Sequence, residues 1–220
     1  MLRRNHGIFA RFAPFAAGAV AAVTAAAMLS GCGASASQPP AALPGVDAAQ
    51  DSANAAVSAT PSVAGQIPAD YKVDIEINPT GNATQDALEE QTRAMLMAYE
   101  QAVSRNAPND ALYQSLTTSF ARGNLYSMIN TFAQADERPT GSVRFYGFNV
   151  KFTGKVADVF FCQDASKVVP VSFKTGQKKG AAATGTAAFS WWDTAFEKNS
   201  GGAWAIVYAS AQVGRQSCMS

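Results

Sequence analysis

The chain has 220 residues, of which 48% are hydrophobic and 15% charged, and its formal net charge is +1. This composition is typical of a globular protein, and the near balance of charge excludes the basic footprint of most nucleic-acid-binding proteins. The only histidine is His6, so the rest of the chain cannot form a serine–histidine or cysteine–histidine catalytic pair.

Residues 1–31 have the three zones of an export signal. Arg3, Arg4 and Arg11 give a positive start, an apolar run covers 12–29, and the small residues Ser30 and Gly31 follow. The alternative is an uncleaved transmembrane helix, since about eighteen apolar residues are just long enough to span a bilayer. The run is rich in alanine and only weakly apolar, which favours a signal peptide.

Leu29-Ser30-Gly31-Cys32 resembles the bacterial lipobox, and it follows the apolar run directly. The resemblance implies cleavage before Cys32 and a diacylglyceryl group on its thiol. Acyl chains anchor a protein to a membrane, so we expect a lipoprotein on the extracytoplasmic face of the cell membrane. Removal of the three leader arginines would leave the remaining chain slightly acidic.

Residues 32–68 are predicted to be a flexible tether. The segment consists mainly of Ala, Ser, Pro, Gln and Gly and has no aromatic residue. Such a segment cannot bury enough apolar surface to offset the entropy of ordering it. The folded domain is therefore expected at 69–220.

The first half of this domain reads as one strand followed by helices. Strict alternation at 71–77 predicts a half-buried strand, and apolar residues at three-to-four spacing predict an amphipathic helix at 86–105 with Thr84 as its N-cap. Glu89 and Glu100 fall off the apolar stripe. Asp110 is the predicted cap of a second helical region at 110–135, with a break near Gly123.

The second half reads as strands. Segments 143–152 and 155–163 flank the turn pair Thr153-Gly154 and are predicted to form a hairpin. A turn is expected at 164–166. Segment 168–173 contains Pro170 and is therefore assigned to an edge or bulge position. Strands are also predicted at 184–196 and 203–213, the last with Trp204, Ile206 and Tyr208 on one face. Helices followed by antiparallel strands indicate an α+β fold.

This order of elements resembles the NTF2-like, or cystatin-like cone, superfamily. The last-strand segment Gly201-Gly202-Ala203-Trp204-Ala205-Ile206 is similar to a pattern found there. The chain also resembles a group of secreted actinobacterial lipoproteins of unknown activity, through Asn78-Pro79-Thr80-Gly81, Cys162-Gln163-Asp164-Ala165-Ser166 and Cys218. The resemblance implies N-terminal helices packed in a curved antiparallel β-sheet.

The chain has three cysteines. Because disulfides use cysteines in pairs, an odd number in an exported chain indicates that one of them has another role. Lipidation of Cys32 would leave Cys162 and Cys218 as a disulfide pair, and two free buried thiols are the alternative. Without a histidine, two thiols cannot complete a zinc shell unless carboxylates help. No phosphate-binding glycine loop is present, so neither a metal nor a cofactor is expected.

Aromatic side chains supply the candidate contacts for a ligand or partner, namely Tyr99, Tyr126, Tyr146, Trp191 and Trp192. The adjacent tryptophans lie on a predicted strand, so one ring should enter the core and the other should lie on the opposite face. An enzyme would combine a tyrosine with a buried carboxylate from Asp158, Asp164 or Asp193. The simpler interpretation has the tyrosines in the core and the aspartates in solvent.

The function predicted from the sequence is that of a membrane-tethered, non-enzymatic domain. It would bind an envelope protein or a small apolar ligand, with no role for nucleic acid. The alternative is a cone-fold enzyme of the isomerase or dehydratase type that uses a buried carboxylate and a tyrosine. A third hypothesis is a purely structural envelope protein.

Overall fold

The structure of the protein is a computed structural model that describes residues 67–219. The predicted signal, Cys32 and nearly all of the predicted tether lie outside the described residues. The helices are α1 (Ala83–Ser104), α2 (Ala111–Leu116) and α3 (Ser119–Gln134). The strands are β1 (Tyr71–Ile75), β2 (Glu137–Thr153), β3 (Val156–Ser172), β4 (Phe189–Lys198) and β5 (Trp204–Val213).

The five strands form one sheet in the order β1-β2-β3-β4-β5. β2 to β5 follow one another as an antiparallel meander, whereas β1 pairs with β2 in parallel. The sheet is curved and unclosed, and the helices pack against its inner face, which together with the helices encloses the apolar core. The predicted arrangement of N-terminal helices packed in a curved sheet is confirmed, with the correction that the sheet is mixed at its β1 edge and not wholly antiparallel.

Helix α1 is more deeply buried than its sequence pattern predicts. Its N-cap is Asn82 rather than Thr84, because the Asn82 side chain accepts hydrogen bonds from the amides of Thr84 and Gln85. Glu89 and Glu100, expected on the solvent face, are each only 2% exposed. For Glu100 the reason is that the second half of α1 is covered nearly all round, with every residue from Ala94 to Ser104 except Met97 buried.

The second helical region breaks at Thr117 and Thr118 and not at Gly123, which lies inside α3. Asp110 caps α2 as expected, accepting from the Leu112 amide. The break lies along the free edge of β5. There the Thr118 amide donates to the carbonyl of Ile206 (2.9 Å), and the Asn124 side chain donates to the carbonyl of Ala209 (3.2 Å).

β3 is one continuous strand, so the turn predicted at 164–166 is wrong. The ladder with β2 has a bulge here but resumes on both sides of it, with Arg144 paired with Asp164 and Ser142 with Lys167. The ladder with β4 ends at Asp164. Pro170 therefore lies where β3 has no β4 partner, as its missing N–H group requires.

Two of the later strands also differ from expectation. β4 begins at Phe189 because a 3-10 turn occupies Gly185–Ala188. A bulge at Ala195 and Phe196 shifts the pairing with β5, so that Tyr208 leaves the inner face and Ala209 is buried in its place. The expectation that Trp204, Ile206 and Tyr208 share one face is therefore wrong for Tyr208.

The predicted pair of cysteines forms a disulfide. The Cα atoms of Cys162 and Cys218 are 5.5 Å apart, within the range that a disulfide requires. A short 3-10 turn at Gln216–Cys218 brings the C-terminal segment back to β3. The Tyr146 hydroxyl donates to the carbonyl of Cys218, which holds the same segment against β2.

No helix within residues 67–219 is long and apolar enough to cross a membrane.

Candidate functional site

The five aromatic residues predicted to contact a ligand or partner do not form one site. Trp192 is buried, and its ring meets that of Tyr99 edge-on at 5.5 Å. Trp191 lies on the outer face, stacked on Phe160 at 4.9 Å. Tyr146 is half-buried beside the C-terminal segment, and Tyr126 is 39% exposed on α3. The prediction that the two tryptophans point to opposite faces is confirmed.

None of the three aspartates considered for catalysis faces the interior. Asp158 alternates with the buried residues Ala157 and Val159, so it lies on the outer face. Asp164 accepts a hydrogen bond from the amide of Ser166 at 2.8 Å. The pKa of Asp193 is raised by partial burial and, secondly, by nearby Asp158, but its neighbours Trp192 and Thr194 are the inward residues.

Glu100, in the last third of α1, is a carboxylate that does face the interior. Its Oε2 accepts a hydrogen bond of 2.7 Å from the hydroxyl of Tyr71 at the start of β1. Its Oε1 has no hydrogen-bond partner among the described residues. The pair therefore joins the long helix to the edge strand and leaves one buried oxygen unsatisfied.

A small cavity lies beside this pair, between α1, α3 and the inner face of the sheet. Its volume is about 40 Å³. The residues around it include Tyr71, Tyr99, Glu100, Phe132, Gln163 and Val168. The Gln163 side chain is held by the indole N–H of Trp192, which donates to its Oε1 at 2.9 Å. Binding sites for small molecules typically measure about 300–1,000 Å³, so this cavity is too small for an organic substrate.

Burial governs the protonation of this pair. Desolvation raises the pKa of Glu100 to about 7, and the hydrogen bond from Tyr71 opposes part of that rise. Desolvation and then the nearby Glu100 raise the pKa of Tyr71 well above its ordinary value. Glu100 can therefore accept or release a proton near neutral pH, while Tyr71 stays a hydrogen-bond donor.

The sequence carries a signal for Glu100 that the helical spacing hides. Between Ala94 and Ser104, Glu100 is the only charged residue. A helix segment that is apolar on nearly all sides is typically buried all round. A single carboxylate in such a segment is thus a candidate interior group even when it lies off the apolar stripe.

A second concave feature is an open groove at the end of the sheet where the β2–β3 and β4–β5 hairpins turn. Its volume is about 430 Å³. We call it the tip groove, and its lining includes Asn82, Thr84, Phe152, Lys155, Lys198 and Trp204. The rings of Phe152 and Trp204 lie 6.2 Å apart, and the Lys198 ammonium is 5.1 Å from the centre of the Trp204 ring.

Within residues 67–219 there is no group of three or more His, Cys, Asp and Glu side chains arranged to hold a metal ion.

No family model matches the chain, and no curated protein sequence matches it. Several solved structures are similar to it. An NTF2-like superfamily protein from Salmonella enterica is 13% identical, with a TM-score of 0.42, over 64% of this chain and 97% of that one. An NTF2-like protein with a cystatin-like fold from Novosphingobium aromaticivorans is 16% identical, with a TM-score of 0.36, over 65% and 96%. A suggested dehydratase of the NTF2-like family from Streptomyces avermitilis is 14% identical, with a TM-score of 0.38, over 59% and 97%. These likenesses concern the fold and carry nothing about the activity of this chain.

Proposed function

We propose that this protein is an extracytoplasmic lipoprotein whose domain binds a partner protein or a small apolar ligand without catalysing a reaction. The observation that supports the non-catalytic part is the small size of the interior cavity beside Glu100. The cavity at Glu100 measures only about 40 Å³, whereas binding sites for small molecules typically measure about 300–1,000 Å³. Binding is therefore assigned to the outer surfaces of the domain.

The location rests on two features of the cysteines. Leu29-Ser30-Gly31-Cys32 has the pattern of a lipid-attachment site. Cys162 and Cys218 form a disulfide, a bond that persists mainly in oxidising, extracytoplasmic compartments. Both features support a chain that is exported and then anchored through Cys32.

The anchor is tested by labelling cells with a radioactive fatty acid. Wild type should take up label and sediment with membranes, whereas Cys32→Ala should remain unlabelled. Cys162→Ser is the matched control, because it removes a cysteine outside the lipobox and should still be labelled. Equal labelling of wild type and Cys32→Ala would contradict the anchor.

Binding is tested by cross-linking in intact cells followed by detergent extraction and mass spectrometry. One protein, or one apolar small molecule, should copurify with wild type in a fixed ratio and be absent from an unrelated lipoprotein treated in parallel. Recovery of the chain with neither would favour a structural envelope protein.

The second candidate function is a cone-fold enzyme that uses Glu100 as acid or base and Tyr71 as hydrogen-bond donor. The observation that favours it is the pKa of Glu100, about 7, since a proton-transfer group works best with a pKa near the working pH. The interior would have to open for a substrate to reach this pair.

The enzyme is tested with enolisable ketones and β-hydroxy carbonyl compounds, on which an isomerase or dehydratase acts. Turnover that rises or falls with a midpoint near pH 7, and that Glu100→Gln and Tyr71→Phe both abolish, would establish it. Glu90→Gln, on the exposed side of the same helix, is the control that should keep any activity. If wild type turns over none of these compounds, the enzyme hypothesis is contradicted and the binding function is favoured.

A further inference from the structure

We propose that the tip groove binds a small amphipathic anion, a molecule with a flat apolar body and one acidic group. The inference rests on the proposed binding function and deepens it, because it names the surface and the class of ligand. The groove volume, about 430 Å³, falls in the ordinary range of small-molecule sites.

The groove exists because the inner face of the sheet extends beyond the helices. Phe152 pairs with Ala157 and Val150 with Val159, so Phe152 continues the inward row of β2. On the other hairpin Trp204 pairs with Lys198, two residues after the inward-facing Phe196. Directly paired side chains in a sheet lie on the same face. At this end the inward side chains therefore line an open groove that the start of α1 borders.

The apolar part of the site is the pair of rings. Phe152 is 43% exposed, one of the few large apolar side chains of the described residues with so much surface in water. Its ring and that of Trp204 are tilted by 52°, which gives two walls of one apolar surface. Aromatic faces bind flat apolar groups with favourable geometry, so they suit the body of such a ligand.

The charge of the site selects an anion. Lys155 and Lys198 line the groove, and none of the described residues that line it is acidic. Helix α1 begins beside the groove, with Asn82 and Thr84 in the lining, but its first amides already donate to the Asn82 side chain and Asp86 lies in its first turn, so the two lysines are what selects an anion. Glu197, the nearest acidic residue along the chain, is exposed and alternates to the opposite face from Lys198.

A second exposed aromatic pair lies elsewhere on the domain and serves as a comparison for the tip groove. Phe120 is 64% exposed and stacks on Tyr208 at 5.8 Å. This pair lies at the β5 edge. Among the described residues, no lysine ammonium lies over either ring, in contrast to Lys198 over Trp204 in the tip groove. Phe120 is therefore the matched control for the aromatic half of the tip groove.

The experiment is equilibrium dialysis of the full-length chain in a non-ionic detergent, with protein-free micelles as the blank. The probes are 2-naphthalenesulfonate, the uncharged 2-naphthalenemethanol and the cationic 2-naphthylmethylamine. The sulfonate should bind to one site per chain, and the amine at least about tenfold more weakly. Lys155→Gln combined with Lys198→Gln should weaken sulfonate binding about tenfold, as expected for the loss of two exposed ion pairs.

Variants assign the binding to the groove. Phe152→Ala should weaken binding of all three probes, whereas Phe120→Ala should leave it within about twofold of wild type. Lys174→Gln combined with Lys178→Gln controls for general loss of positive charge and should have no effect. Thermal melts establish that each variant is folded.

Equal binding of sulfonate and amine, or equal effects of the groove and control variants, would overturn the proposal. Those results would leave the proposed binding function standing if cross-linking still recovers a partner. Sulfonate binding at the groove together with turnover that depends on Glu100 would instead keep this inference and remove the non-catalytic function.

Discussion

At the scale of single residues, Glu100 determines how the interior responds to pH. The folded state raises its pKa to about 7 from an ordinary value of 4.5. The folded protein therefore keeps the proton over a range in which the unfolded chain loses it. The resulting stability is fully present below about pH 4.5 and is lost as the pH rises to about 7.

Glu100→Gln should remove this dependence, because the amide does not titrate. The free energy of unfolding of wild type should fall relative to that of the variant by up to about 3 kcal/mol between pH 4.5 and 7. Urea unfolding at several pH values measures the difference, which also cancels the contributions of other carboxylates. Glu90→Gln, an exposed change on the same helix, should show a much smaller slope, and parallel curves for wild type and Glu100→Gln would refute the assignment.

Glu100 also shows where inference from sequence stops at this scale. The opposite faces of Trp191 and Trp192 followed from strand geometry alone, and the structure confirms them. Burial of Glu100 depends on which elements surround α1, and that is a property of the tertiary fold. Helical periodicity identifies only the face of a helix that packs on one neighbouring surface. It therefore assigned Glu100 to solvent, although β1 covers that side of the helix.

At the scale of elements, replacing either of two glycines by alanine is expected to change the stability of the domain in opposite directions. Gly141 in β2 has a φ of +87°, and an added Cβ would lie 2.1 Å from the carbonyl oxygen of Lys167. Gly123 lies inside α3 with nothing within 4 Å of an added Cβ. The first position needs glycine, and the second does not.

Gly141→Ala should destabilise the domain by at least about 2 kcal/mol, through backbone strain and the close approach of β3. Gly123→Ala should stabilise it by about 0.5–1 kcal/mol, the helix propensity that alanine gains over glycine. Chemical denaturation of the two variants beside wild type measures both shifts. A loss for Gly123→Ala would mean that α3 does not form as described.

The disulfide is the other prediction at this scale. Cys162 and Cys218 are 56 positions apart in the sequence, and loop-closure entropy gives about 4 kcal/mol for a loop of this length. The double change Cys162→Ser and Cys218→Ser should lower Tm on the order of 10 °C. Reductant should lower the Tm of wild type by a similar amount and leave the double variant unchanged, whereas a wild type insensitive to reductant would contradict the bridge.

The errors in the predicted elements have a common physical cause. Local pattern placed the strands and their hairpins, but it broke β3 at residues 164–166, where polar residues resemble a turn. Pairing with β2 on both sides of a bulge keeps that stretch within the strand. Likewise Gly123 suggested a helix break, while the actual break at Thr117 and Thr118 follows the edge of β5. Hydrogen bonds between segments distant in the sequence decide both cases.

At the scale of the whole molecule, the boundary between tether and domain is open to a direct test. Limited proteolysis should cut within residues 33–66, where the composition predicts a flexible chain, and should leave a stable fragment that begins near residues 66–70. Tyr71 should stay in the fragment, because its hydroxyl is held by Glu100. Mass spectrometry of the fragment measures its first residue, and resistance of 33–66 to several proteases would contradict the tether.

The parallel pairing of β1 with β2 gives the domain two distinct poles. Tyr71 pairs with Gly141, and β2 then continues to Thr153 at the rim of the tip groove, a run of roughly 40 Å at the usual rise per residue. The chain thus enters the sheet at one pole, and the groove opens at the other. Substitutions near residue 67, where the described chain begins, should therefore leave the tip groove intact.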